Sequence, residues 1–201
     1  TEVLKNDDLV TVSCADGDIG RVYEGILDVE INEINLKTLP KIKTNLMLNL
    51  ASPESAFNYH KYPIAGIGLV REEFIFNNYI KVHPMALLNH KKLHDEELTI
   101  SINKLIEGYQ DEKDYFMKKL SYGISRLAAS VYPKDVIVRF SDFKSNEYKN
   151  LLGGKYYEPD EENPMIGWRG ASRYYSDNFK EAFGLECLAI KNIRNNIGMK
   201  N

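Results

Sequence analysis

A chain of 201 residues, 43% hydrophobic and 27% charged, can bury an ordinary globular core, and wholesale disorder is excluded. Its 29 acidic and 26 basic residues give a net charge of −3, which argues against a nucleic-acid partner while leaving room for a local anion site. No apolar run approaches the roughly 20 residues of a membrane span, the opening TEVLKNDD is not a signal peptide, and Cys14 and Cys187 are too few for a disulfide scaffold or a Cys-built zinc site; a cytoplasmic protein is expected, with no membrane partner.

Residues 1–35 read as β. Leu9 to Cys14 alternates apolar and polar, Asp16-Gly17 marks a turn, Arg21–Glu24 follows, and ILDVEINEI (26–34) repeats with period two. Strands this few are not stable alone and read as the end of another domain. Residues 36–43, around Pro40, are a linker. After it the pattern changes to α/β. Thr44–Leu50 is a short apolar run. Ser52-Pro53 caps a helix expected to reach Tyr59. Gly66–Val70 is an apolar run without alternation, as in a strand covered on both faces.

Helices are expected over His83–His90, Asp95–Glu107 and Asp111–Ala129. The last carries Tyr115, Leu120, Ile124, Leu127 and Ala128 on one stripe. Val136–Val138 is a third strand. Residues 141–170, rich in Gly, Asn and Asp, are expected to be a loop. A final helix over Asp177–Asn196 would bury Phe179, Phe183, Leu185, Leu188 and Ile193 and stop before Gly198. The β-α-β-α-β-α order implies parallel strands joined by crossover helices. Three parallel strands leave two open edges, so the sequence reads as cut at both ends.

Only seven of the basic residues are arginines, the side chain with a planar fork for carboxylate or phosphate. Three share a placement. Arg71 ends the strand Gly66–Val70, Arg139 ends the strand Val136–Val138, and Arg169 lies in the loop that follows, in NPMIGWRG. In a parallel sheet all carboxyl ends of the strands lie on one side, where ligands bind. Three guanidiniums there would suit a multiply charged anion such as a phosphorylated carboxylate. The competing reading is a set of rim salt bridges to Glu72, Glu73 or Asp142. His90 and His94 are four apart on a lysine-rich stretch and read as a solvated face. Cys187 reads as a buried structural thiol, and Asp160-Glu161-Glu162 as a solvated charge run.

GIGLVREEFIF (66–76), VIVRFSDFKSNEYKNLLGG (136–154) and YEPDEENPMIGWRGASRY (157–174) closely resemble segments of the phosphoenolpyruvate synthases, the pyruvate, water dikinases, within the family of PEP-utilising enzymes. VTVSCADGDIGRVYEG (10–25) resembles the end of that family's swivelling phosphohistidine domain. The resemblance implies that 1–35 are the last strands of the swivelling domain. It implies that 44–201 are the first three βα units of a (β/α)₈ TIM-type barrel binding pyruvate or phosphoenolpyruvate. By motif position Arg71 and Arg139 would hold the phosphoryl and carboxylate groups, and Arg169 would face the substrate. The family's phosphohistidine, its magnesium-binding Glu and Asp, and its proton-exchanging cysteine have no match here, so Mg2+ ligands and the ATP-binding domain are expected outside this chain. The isolated chain would then be inactive, and a homo-oligomer is expected. Alternatives are a non-catalytic anion-binding regulatory module, or part of a related enzyme such as pyruvate phosphate dikinase.

Overall fold

The computed structural model describes residues 3–16, 19–33, 35–40 and 42–201. The chain divides into two compact units, Thr1–Pro40 and Lys41–Asn201.

In the first unit β1 (Val10–Asp16) and β2 (Ile19–Glu24) form an antiparallel ribbon, with Val12 opposite Val22 and Val10 opposite Glu24. Asp16, expected in the turn, is the last residue of β1 and pairs with Ile19, while Gly17 falls outside the described residues. The ribbon is closed at its open end by side-chain bonds. Thr11 Oγ1 donates to the Gly25 carbonyl (2.8 Å) and accepts from the Leu27 N–H (2.9 Å). The strand expected over 26–34 does not form among its described residues. Leu27, Val29 and Ile31 alternate correctly but stand 44–78% exposed, with no ladder partner. Alternation needs a neighbouring strand before it becomes a sheet.

The second unit is mixed α/β. Three strands, β3 (Met47–Leu50), β4 (Gly66–Arg71) and β5 (Asp135–Arg139), pair in parallel in the order β3-β4-β5. Parallel strands cannot be joined by a hairpin; the connection from β4 to β5 is largely helical, while β3 reaches β4 through a segment with a single 3₁₀ turn. The helices are α1 (Glu72–Ile75), α2 (Pro84–Asn89), α3 (Glu96–Ile106), α4 (Glu112–Val131), α5 (Ser145–Lys149), α6 (Ala171–Tyr174) and α7 (Lys180–Asn192). Gly66 is required by close approach: a Cβ there would collide with the Asp135 carbonyl on the neighbouring strand.

Helix starts follow the sequence closely. Asp95 and Asp111 cap α3 and α4 by accepting the N–H of Leu98 (2.9 Å) and Asp114 (2.7 Å). The expected stripe of α4 is buried from Tyr115 to Ala128. The core continues as an aromatic column: Phe76 meets Phe116 edge-on at 5.3 Å, and Tyr148 lies 4.6 Å from Phe143 and 5.3 Å from Phe179.

Four expectations are corrected. The helix from Ser52 to Tyr59 is only a 3₁₀ turn at Ala56–Tyr59, because the Ser52 hydroxyl bonds the Glu54 carboxylate (2.9 Å) instead of capping a helix. The loop at 141–170 contains α5 and a 3₁₀ turn at Gly154–Tyr156. It is pinned by Val82, bridged in parallel to Leu152. The last helix is shorter, Lys180–Asn192 followed by a π-turn at Ile193–Ile197. Its inward stripe is Ala182, Leu185, Glu186, Ala189 and Ile193, so Leu188 is 47% exposed, Cys187 is exposed too, and a glutamate takes a core position. Lastly, His90 is buried rather than solvated, its Nε2 3.1 Å from the Glu112 carboxylate.

Candidate anion site at the strand ends

Arg71 and Arg139 are register partners, facing each other at the carboxyl ends of adjacent parallel strands. The backbone turns directly from Arg71 into α1, so Glu72 and Glu73 occupy its first turn and diverge. Glu72 points inward and is fully buried, while Glu73 turns toward Arg139.

Glu73 is one hinge of the site. Its Oε1 accepts from Arg139 Nη2 (2.6 Å) and from the Asp142 N–H (2.9 Å), tying the end of β4 to the loop after β5. Asp142 is the other. Its carboxylate takes a two-pronged fork from Arg169, Nε to Oδ1 at 3.0 Å and Nη2 to Oδ2 at 2.9 Å. Arg139 Nη1 approaches the same carboxylate at 3.5 Å. The Arg169 guanidinium holds the Asp142 carboxyl below the ordinary aspartate range, and Asp142 in turn raises Arg169.

The rim salt bridges weighed from sequence therefore exist for Arg139 and Arg169, through Glu73 and Asp142. Arg71 is exposed and makes no hydrogen bond or ion pair among the described residues. Three guanidiniums meet two partner carboxylates at the rim, which leaves the Arg71 side chain without an ion-pair partner among the described residues. Ion pairing here also fixes direction: a guanidinium gripped on one edge presents its remaining N–H groups along a set line. Arg139 remains 42% exposed and Arg169 25%, so both can reach a ligand.

Sequence reasoning missed what lies beneath. Arg173 is fully buried and grips Glu158 with both terminal nitrogens, at 2.5 and 2.7 Å. Its Nε and Nη2 also donate to the Trp168 carbonyl, at 3.2 and 2.9 Å, fixing the backbone just ahead of Arg169. Its guanidinium carbon stands 4.0 Å from the Trp168 ring centroid and 4.5 Å from that of Tyr148. Buried His83 completes the set, with Nε2 2.9 Å from Glu158 Oε1 and Nδ1 accepting the Met85 N–H. Burial lowers the pKa of His83, which favours the neutral ring these bonds require.

Glu161, expected as solvated charge, is in part a loop clasp: it accepts the Trp168 N–H at 2.9 Å. Gly167 allows this, since a Cβ there would collide with the Glu161 carboxylate. The signal that could have found Arg173 was its setting, an arginine four residues from Arg169 in a segment that carries Trp168, Tyr174 and Tyr175.

The chain is 48% identical to a phosphoenolpyruvate synthase of Aquifex aeolicus, with all of the chain and 29% of that protein covered. It is 52% identical to one from Neisseria meningitidis and 46% identical to one from Escherichia coli, covering all of the chain and 25% of each relative. The chain thus spans about a quarter of the length of these curated relatives. No described helix is long and apolar enough to cross a membrane. Residues 28–200 match the model of the PEP-binding domain of PEP-utilising enzymes, and with that span, which takes in both strand ends and all three arginines, the chain belongs to the PEP-utilising enzyme family.

Proposed function

We propose that this chain supplies the phosphoenolpyruvate- and pyruvate-binding arginines of a phosphoenolpyruvate synthase. That reaction converts ATP, pyruvate and water to AMP, phosphoenolpyruvate and phosphate through a phosphohistidine on another domain. The observation that carries the reading is the register pairing of Arg71 with Arg139, with Arg169 linked to Arg139 through Asp142. In this reading Arg71 and Arg139 clamp the phosphoryl group, and Arg169 takes the enolate oxygen or the carboxylate.

During transfer, charge spreads over the phosphoryl oxygens, so the protein's part is positioning and electrostatic stabilisation. Glu73 and Asp142 hold two of the three forks in place before substrate arrives, so little reorganisation is left for the moment of reaction. Magnesium is implied by the family, but the described residues do not fit it. No group of three or more His, Cys, Asp or Glu side chains among them could hold a metal ion.

The three sequential parallel strands are read as the opening of a (β/α)₈ barrel, and residues 1–35 as strands of a swivelling domain. The order β3-β4-β5 and the separation of the first unit support this.

The test is calorimetric titration of the protein with phosphoenolpyruvate, beside Arg71→Lys and Arg139→Lys variants. Lysine keeps the charge and loses the fork. Loss of one charge-assisted hydrogen bond, about 1.5–3 kcal/mol, weakens binding roughly ten- to hundredfold. Wild-type affinity in either variant would remove that arginine from the proposed site.

A further inference from the structure

Directly under the arginine rim lies a feature that substrate binding does not use. Glu72, next to Arg71, and Glu186, at mid-helix in α7, are both fully buried and lie side by side. Glu186 is well provided with donors. Its Oε1 accepts from the Ser141 hydroxyl (2.6 Å) and its Oε2 from the Ser141 N–H (3.1 Å). The Tyr148 hydroxyl stands 2.8 Å from Ser141 Oγ, placed to donate to it in turn. Glu72 has none of this. Neither of its oxygens meets a donor among the described residues, so as a carboxylate it would be buried and unsatisfied. A buried, unpaired charge is among the costliest groups a fold can hold, and two facing carboxylates cost more. A proton on Glu72 removes both problems: one O–H donates to Glu186, and the pair carries a single negative charge that Ser141 already stabilises.

We infer that Glu72 and Glu186 share one proton, and that this shared proton is a positioning device for the arginine rim. The link is short. Glu186 grips Ser141, whose carbonyl also accepts from the Tyr174 hydroxyl (2.7 Å). Ser141 is followed by Asp142, the carboxylate that holds Arg169 and approaches Arg139. Glu72 sits between Arg71 and Glu73, the partner of Arg139. Ionising both glutamates places two like charges against each other between these segments, driving α1 and the 141–142 turn apart.

The surrounding groups point the same way. Burial, then Glu186, Glu73 and the Cys187 thiol all raise Glu72 well above the ordinary glutamate range. Burial pushes Glu186 up to about 7 against the pull of its Ser141 bonds, and Glu73 raises it further. The phenols facing Glu186, Tyr148 and Tyr174, are both raised from ordinary tyrosine values, chiefly by burial, and remain protonated donors at neutral pH.

The last arm of the test rests on the proposed function; the first does not. In the unaltered protein, NMR titration of labelled carboxyl carbons should find one of the two glutamates protonated at neutral pH. The Asp142 carboxyl carbon should move in the same pH interval in which that proton is lost. Glu72→Gln, whose amide donates to Glu186 but does not titrate, should abolish this movement. Phosphoenolpyruvate affinity should weaken several-fold across that interval in the wild type relative to Glu72→Gln. Two glutamates ionising together in the ordinary acid range would overturn the shared proton. An Asp142 signal indifferent to the titration, or parallel affinity profiles, would overturn the positioning role. Should Glu72→Gln not fold, the carbon titration of the unaltered protein decides alone. Absence of phosphoenolpyruvate binding at every pH would refute the proposed function and leave the pair to be decided by the Asp142 signal.

Discussion

Replacing Arg173 by Met should unfold the second unit far more readily than replacing Arg173 and Glu158 together. In the native protein Arg173 and Glu158 are 1% and 0% exposed, so neither charge can turn to water when its partner is lost. The single variant strands a buried carboxylate, which typically costs about 3–5 kcal/mol. It also takes both Arg173 donors from the Trp168 carbonyl and removes a cation from the Trp168 face, each adding about 1 kcal/mol. At roughly 2–4 °C per kcal/mol for a domain of this size, the thermal midpoint should fall by about 10–28 °C. In Arg173→Met/Glu158→Gln the stranded charge is gone and His83 can still bond the glutamine oxygen. The part of the loss due to the stranded charge, about 3–5 kcal/mol, should then be recovered in the double variant. Urea denaturation of wild type, both single variants and the double closes the cycle. Additive effects, or a single-variant loss below about 1 kcal/mol, would refute the view that this pair is a charge lock on the loop ahead of Arg169.

Asp142→Asn should change how stability responds to acid. The aspartate is held low by Arg169, so its contribution is fully present above the ordinary value of 3.8 and lost as pH falls through the lower folded value. Urea midpoints measured from neutral to acid pH should show this loss in wild type and its absence in Asp142→Asn, which should also be less stable at neutral pH. Gly167→Ala should force the Glu161 carboxylate off the Trp168 N–H, at a cost of about 1–2 kcal/mol. Limited proteolysis should then cut the 159–170 segment faster, while Gly184→Ala, where an added Cβ meets nothing, serves as the control.

What the sequence made legible was whatever local periodicity or capping decides. The three strands, the capped starts of α3 and α4, and the buried stripe of α4 are of this kind. Arg71, Arg139 and Arg169 were placed near one another by a rule about strand ends, and their partners Glu73 and Asp142 were named among the candidates. What stayed hidden depends on contacts between distant segments. Glu158 and Arg173 are 15 residues apart, and His83 is 75 residues from Glu158. Glu186 shows why hydropathy misleads: the helix from 180 puts positions 182, 185, 186 and 189 inward, and one of them is a charged residue. Apolar counting turned the expected face toward Leu188 and away from it. The strand expected over 26–34 failed for the opposite reason, an adequate local pattern with nothing to pair against.

The grip of Glu186 on Ser141 spans 45 residues of chain, and this orders events during synthesis. At a ribosomal pace of roughly 5–20 residues per second, the end of β5 exists for about 2–9 s before Glu186 has been made. In that interval Ser141 lacks the acceptor for its N–H and hydroxyl, and Glu72 has no neighbour with which to share a proton. It is then an ordinary solvated carboxylate beside Arg71, free to pair with that arginine or with Arg139. The bonds from α7 to the end of β5 are therefore closed only after Glu186 has been made, and until then nothing in α7 fixes the turn at Ser141.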